Sequence, residues 1–118
     1  MHILLFDPDL QFTAELVKEI NPHFHKVQIA ANFFQASTLL VNHQIDIVAM
    51  AKGSADMSDK LFIDMLKHRK VAAIVYHKLF SDEEKKRYQN YGAYSYCSKD
   101  SLYILGELVS YKNHLLRV

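Results

Sequence analysis

Lys99 stands at the end of a short aromatic run, residues 92–100 (GAYSYCSKD), immediately before a new helical pattern. An ammonium at the C-terminal tip of a strand is placed to meet an anion, because open α/β sheets gather their sites at those tips. Asp7, which closes the first apolar run, can form an ion pair with Lys99, each charge satisfying the other near a strand end. Other chemistry-bearing groups are weaker candidates. His23 and His25 have an H-x-H spacing that can hold Zn²⁺ on a strand, but no third Cys, His or acid accompanies them. The seven histidines are dispersed, so no metal site is assigned. Cys97, the single cysteine, lies mid-strand and reads as an inert core thiol. Lys52-Gly53-Ser54 lacks the spacing of a phosphate-binding loop. The basic cluster Lys67-His68-Arg69-Lys70 reads as a solvated helix end, where cations suit the negative pole of the dipole.

The elements that must position these groups follow from hydrophobic period. Five short apolar runs alternate with longer amphipathic ones. ILLF at 3–6 is unbroken, as expected of a strand buried on both faces. The runs at 26–30, 45–51 (IDIVAMA), 71–76 (VAAIVY) and 94–98 supply four more strands. Between them Phe12, Leu16, Val17 and Ile20 mark one helical stripe, Phe33, Ala36, Leu39 and Leu40 a second, and Leu61, Phe62, Met65 and Leu66 a third. Ser81-Asp82-Glu83-Glu84 is a capping box opening a fourth helix, whose few apolar residues, mainly Tyr88 and Tyr91, predict loose packing. A fifth helix, capped by Asp100 or Ser101, carries Leu102, Leu105, Leu108, Val109, Leu115 and Leu116. This (βα)5 order predicts an α/β, flavodoxin-like three-layer sandwich around a five-stranded parallel sheet, in the order 2-1-3-4-5.

Bulk composition narrows the function classes. The 118 residues make one domain, and 50% hydrophobic content argues against disorder. A formal net charge of +1 predicts no strong nucleic-acid or membrane field. A lone cysteine fits a reducing cytosol, and no segment has the length of a signal peptide or membrane span, so the expectation is a cytoplasmic domain.

The ordered set I-L-L-F-D-P-D, I-D-I-V-A-M-A and G-A-Y-S-Y-C-S-K resembles the receiver domain of two-component response regulators, over nearly the whole chain from Ile3 to Leu116. The resemblance implies an aspartate nucleophile on the third strand, Mg²⁺ held by acids after the first, and a lysine that pairs with phosphoryl oxygens. It also implies a Thr or Ser ending the fourth strand and a switching aromatic on the fifth. Lys99 matches the family lysine, Asp7 the first acidic position and Tyr96 the aromatic. The second acidic position is Pro8, and Asp9 sits a residue further on. Ala51 stands where the acceptor aspartate belongs, and a methyl group cannot form an acyl phosphate. His77, or Tyr76 with a one-residue shift, replaces the small hydroxyl residue and fills the space of a phosphoryl group. Asp100 replaces the proline that usually follows the lysine. With these changes the site is expected to bind Mg²⁺ poorly, and no cofactor is expected.

These departures describe an atypical receiver, or pseudo-receiver: a non-enzymatic domain acting in signal transduction or transcriptional regulation without phosphorylation. It is either a stand-alone regulator or a module of a longer one, and with no helix-turn-helix it is not expected to bind DNA specifically. The last third is rich in tyrosine. Tyrosine buries area while keeping a polar tip, and in receivers this face is the usual output and dimer surface. Tyr88, Tyr96, Tyr103 and Tyr111 are therefore the expected interface for a protein partner or a second copy. Two alternatives stand beside this reading: a phosphorylatable receiver with a shifted acceptor, Asp56 or Asp59, and a small-molecule sensor using the pocket near Asp7, His77 and Lys99.

Overall fold

A computed structural model describes residues 1–117. Strands β1 (His2–Phe6), β2 (Lys26–Ala30), β3 (Ile47–Ala51), β4 (Ala72–His77) and β5 (Ser95–Ser98) alternate with helices α1 (Leu10–Ile20), α2 (Phe33–Asn42), α3 (Asp59–His68), α4 (Asp82–Tyr91) and α5 (Ser101–Leu116). All four strand pairings are parallel and the order is β2-β1-β3-β4-β5, as the alternation predicts. Parallel neighbours need a crossover, and right-handed helical crossovers cover both faces of the sheet.

The central strands are therefore apolar on both sides. Ile3, Leu4, Leu5 and Phe6 of β1 and Ile47, Val48, Ala49 and Met50 of β3 are fully buried. Alternate residues feed two cores. Leu4, Phe6, Val48, Met50 and Val75 pack with Ala36, Phe62, Leu66 and Tyr88 on the α2–α3–α4 side. Ile3, Leu5, Ile47, Ile74 and Tyr76 pack with Leu16, Ile20, Ile104 and Leu108 on the α1–α5 side.

Each helix begins on a side-chain cap. Asp9, Asn32, Ser58, Ser81 and Asp100 accept from the first-turn amides of α1 to α5 in turn. Some helical faces lie a residue or two from the expected stripe. In α3 Phe62, Ile63 and Leu66 are buried while Leu61 is exposed, and in α5 Ile104 and Leu108 are buried while Leu102 and Leu116 are exposed. The fourth helix buries a single residue. Its single deep anchor, Tyr88, stacks on Tyr96 with ring centroids 5.0 Å apart and meets the edge of Tyr91 at 5.2 Å.

Candidate functional site

The C-terminal tips of β1 and β5 bring Asp7, Asp9 and Lys99 together. Asp7 follows β1 directly and is 1% exposed. Its Oδ1 accepts from the backbone N–H of Asp9 at 2.9 Å. Its Oδ2 accepts from the Tyr76 hydroxyl at 2.8 Å and lies 3.4 Å from Lys99 Nζ. Asp9 divides its carboxylate: Oδ1 caps α1 through the amide of Phe12, and Oδ2 takes the Lys99 ammonium at 3.0 Å. Lys99 also lies over the Phe12 ring, 4.8 Å from its centroid, a further attraction for a cation.

The electrostatics follow from these contacts. The hydrogen bond from Lys99, helped by the Phe12 amide, holds the Asp9 carboxyl below its ordinary value. Burial disfavours the charged form of Lys99, but the Asp9 and Asp7 carboxylates outweigh it and raise the ammonium above its usual value. Burial, with Asp7 as acceptor and neighbour, pushes the Tyr76 phenol far up, so it stays a donor. Asp7 and Lys99 thus form the expected ion pair, enlarged by Asp9 and Tyr76.

Ala51 ends β3, paired in register with Tyr76. Tyr76 comes from the α1–α5 side of β4 with its ring fully buried, 5.6 Å from Phe12, and its hydroxyl ends on Asp7. His77 points elsewhere. Its Nδ1 accepts from the backbone N–H of Leu79 at 3.2 Å, bracing the turn into α4. Of the two residues expected to crowd the site, Tyr76 is the one that reaches it. The clue in the sequence is a tyrosine ending an aliphatic strand, since a buried phenol needs a partner. Pro8 is exposed and adds no donor.

The Mg²⁺ that receivers use does not fit this donor set. Both oxygens of Asp7 and both of Asp9 already accept from an amide, a phenol or the ammonium. A hard dication wants several free oxygens and would have to displace Lys99. Among the described residues no group of three or more His, Cys, Asp or Glu is placed to hold a metal, and His23 and His25 gain no third ligand.

Beside this cluster the β3–α3 loop makes a second one. Lys52 Nζ meets Glu84 Oε2 at 2.9 Å, tying the loop to α4. The Asp59 carboxylate accepts from the Gly53 amide at 2.9 Å and the Tyr88 hydroxyl at 2.6 Å, while Asp56 is exposed. Tyr88 and Tyr96 are 4% and 2% exposed, so the expected tyrosine interface needs correction. They face each other beneath α4, and Tyr111 is half-buried on the α1–α5 side against Tyr94. Only Tyr103, 64% exposed, is open to a partner. Cys97 is buried, and burial pushes its thiol up to about 12, in keeping with an inert core residue.

The chain has the fold of response regulator receiver domains. The signal receiver domain of a DNA-binding response regulator from Colwellia psychrerythraea 34H is similar at 21% identity and TM-score 0.77, over 100% of this chain and 99% of that one. The signal receiver domain of an HD domain-containing protein from Pseudomonas fluorescens Pf-5 is also 21% identical, with TM-score 0.82 over 99% and 98%. An orphan response regulator of H. pylori is 17% identical, with TM-score 0.78 over 93% and 94%. No family model and no curated protein matches the sequence. No helix of the described residues is long and apolar enough to cross a membrane.

Proposed function

We propose that this chain is a regulatory domain of the receiver type that carries no catalytic step and passes its signal by protein–protein contact without being phosphorylated. One observation carries the reading. Tyr76 and Lys99 both terminate on Asp7 Oδ2, beside a β3 that ends in the methyl group of Ala51. The carboxylate oxygens that a metal would need are already engaged by the protein's own ammonium, phenol and amides, and the ammonium offsets part of their charge. The nucleophile that would accept a phosphoryl group is missing at that tip.

The exposed apolar residues on the connections around α4 and α5 are the natural contact surface: Leu79 and Phe80 before α4, Leu102 and Tyr103 in the first turn of α5. Phe80 lies 6.0 Å from Tyr96, so this surface touches the strand that carries the matched aromatic. A partner protein or a second copy would bury it.

The discriminating experiment is incubation with Mg²⁺ and a small phosphodonor or beryllofluoride, followed by intact-mass spectrometry and ¹H–¹⁵N NMR. The expected result is an unchanged mass and unshifted amides at residues 7–9, 51–59 and 99. A stoichiometric phosphoryl adduct would overturn the reading and direct attention to Asp56 or Asp59.

A further inference from the structure

At the opposite end of the sheet, two open hollows of ≈ 590 and ≈ 520 Å³ share the wall formed by residues 42–44. They form one trough beneath the start of β1, between the start of β2 and the α3–β4 turn. Lys26, His2, His43, Arg69 and Lys70 line it, with Asp46 the one acid.

The cations here differ from those at the site already described. There, Lys52, Arg87 and Lys99 each meet a carboxylate. Lys26, Arg69 and Lys70 make no ion pair among the described residues. Asp46 forms no ion pair with them; its Oδ2 accepts from the backbone N–H of His2 at 2.6 Å.

Helix C-termini attract cations, but the closing carbonyls of both helices are already covered by backbone donors. The His43 amide donates to Leu39, those of Arg69 and Val71 to Leu66, and that of Lys70 to Lys67. Arg69 spends only one long contact, Nη1 to the Leu40 carbonyl at 3.4 Å, out of five N–H donors. His2 is buried with its Nε2 unpartnered. Lys70 holds a left-handed backbone, φ 59°, which most non-glycine residues avoid.

We propose that this trough is a binding site for a small organic phosphate, its phosphate gripped by Arg69 and Lys70 and its remainder lying along His43 toward Lys26. A guanidinium fork and an adjacent ammonium suit a doubly charged, multi-oxygen anion better than a single carboxylate. The polar wall at 42–44 offers amide groups to the rest of the molecule. This site is separate from the Asp7–Lys99 cluster, so it stands whether or not the domain takes a phosphoryl group.

The test is a titration of the intact chain with AMP and with inorganic pyrophosphate at constant ionic strength, followed by ¹H–¹⁵N NMR, with sulfate as control. Saturable shifts at residues 2, 26, 42–46 and 69–71, with residues 7 and 99 unmoved, are expected. AMP binding more tightly than pyrophosphate supports an organic phosphate; equal binding of pyrophosphate and sulfate would mean a non-specific anion patch and overturn the proposal. Arg69→Gln should weaken AMP about tenfold, the worth of one charge-assisted hydrogen bond. Lys70→Gly should weaken it similarly while leaving the melting temperature equal or higher, because glycine accepts the left-handed backbone. Unchanged affinity in both variants, or no saturable shift with AMP, would also overturn it.

Discussion

Asp7 is served by three donors of different kinds, and removing each should have a different cost. Tyr76→Phe deletes a neutral donor but leaves the ammonium and the Asp9 amide in place. We expect a loss of about 1–3 kcal/mol, the penalty for a buried polar group that loses one partner. Lys99→Met deletes the compensating charge from a buried carboxylate and should cost about 3–5 kcal/mol. Urea unfolding of the two variants and of the double variant gives the order, and the double should fall short of the sum because both donors share Oδ2. A smaller effect for Lys99→Met than for Tyr76→Phe would mean that the charge is not what holds Asp7. Tyr96 provides the opposite case. Its hydroxyl is buried with no partner among the described residues, so Tyr96→Phe should be neutral or stabilising in the same assay.

At the scale of the elements, the turn from α4 into β5 depends on Gly92. It caps α4 with φ 106°, its N–H donating to the Gln89 carbonyl, and the next amide donates to Tyr88. A Cβ there would also run into the stem of Lys67 on α3. Gly92→Ala should therefore destabilise by at least about 1 kcal/mol, through the left-handed cap and the collision together. Adding Lys67→Ala should return only the part due to the collision, and thermal melts of the single and double variants separate the two.

This turn also shows what the sequence made legible. Gly92 to Lys99 read correctly as turn, strand and tip because glycine, aromatic alternation and a charged end are local signals. The boundaries that moved are those where burial alone was the signal: β3 starts at Ile47 and β4 runs on to His77. The tyrosines misled for another reason. Their number was visible, but whether Tyr88 faces water or Tyr96 is settled by the angle at which α4 lies on the sheet. Likewise Asp7 and Lys99 could be paired from strand tips alone. Tyr76 joining them required knowing the strand's register and the side from which its ring arrives.

Over the whole molecule, charge is sorted by end. Asp7, Asp9, Asp59, the Asp82–Glu84 turn and Asp100 lie at strand tips and helix N-termini, where acids complement the dipoles. Six of the seven histidines, His2, His23, His25, His43, His68 and His114, lie at the other end. His2 is the buried one. Burial, then His43, Lys26 and the N-terminal amine, hold its imidazole below the ordinary 6.5, against a smaller opposing pull from Asp46. The unfolded chain thus takes up this proton more readily than the folded one, so stability rises with pH. The contribution is complete above 6.5 and is lost as pH falls from there toward the depressed native value. His2→Leu should flatten the rise of stability with pH on the acid side of neutral, measured by chemical unfolding in steps of pH. An unaltered slope would assign it to other groups.

The strand order has a consequence for how the chain is made. β1 lies between β2 and β3, and Ile3 pairs with both Val27 and Ile47. A ribosome delivers β2 well before β3, at about 5–20 residues per second. For that interval β1 has one edge paired and the other bare, with ILLF unable to bury both faces. The nascent chain should therefore bind trigger-type chaperones most strongly after β2 has emerged, and release them once residue 51 and the helix that follows have cleared the exit tunnel.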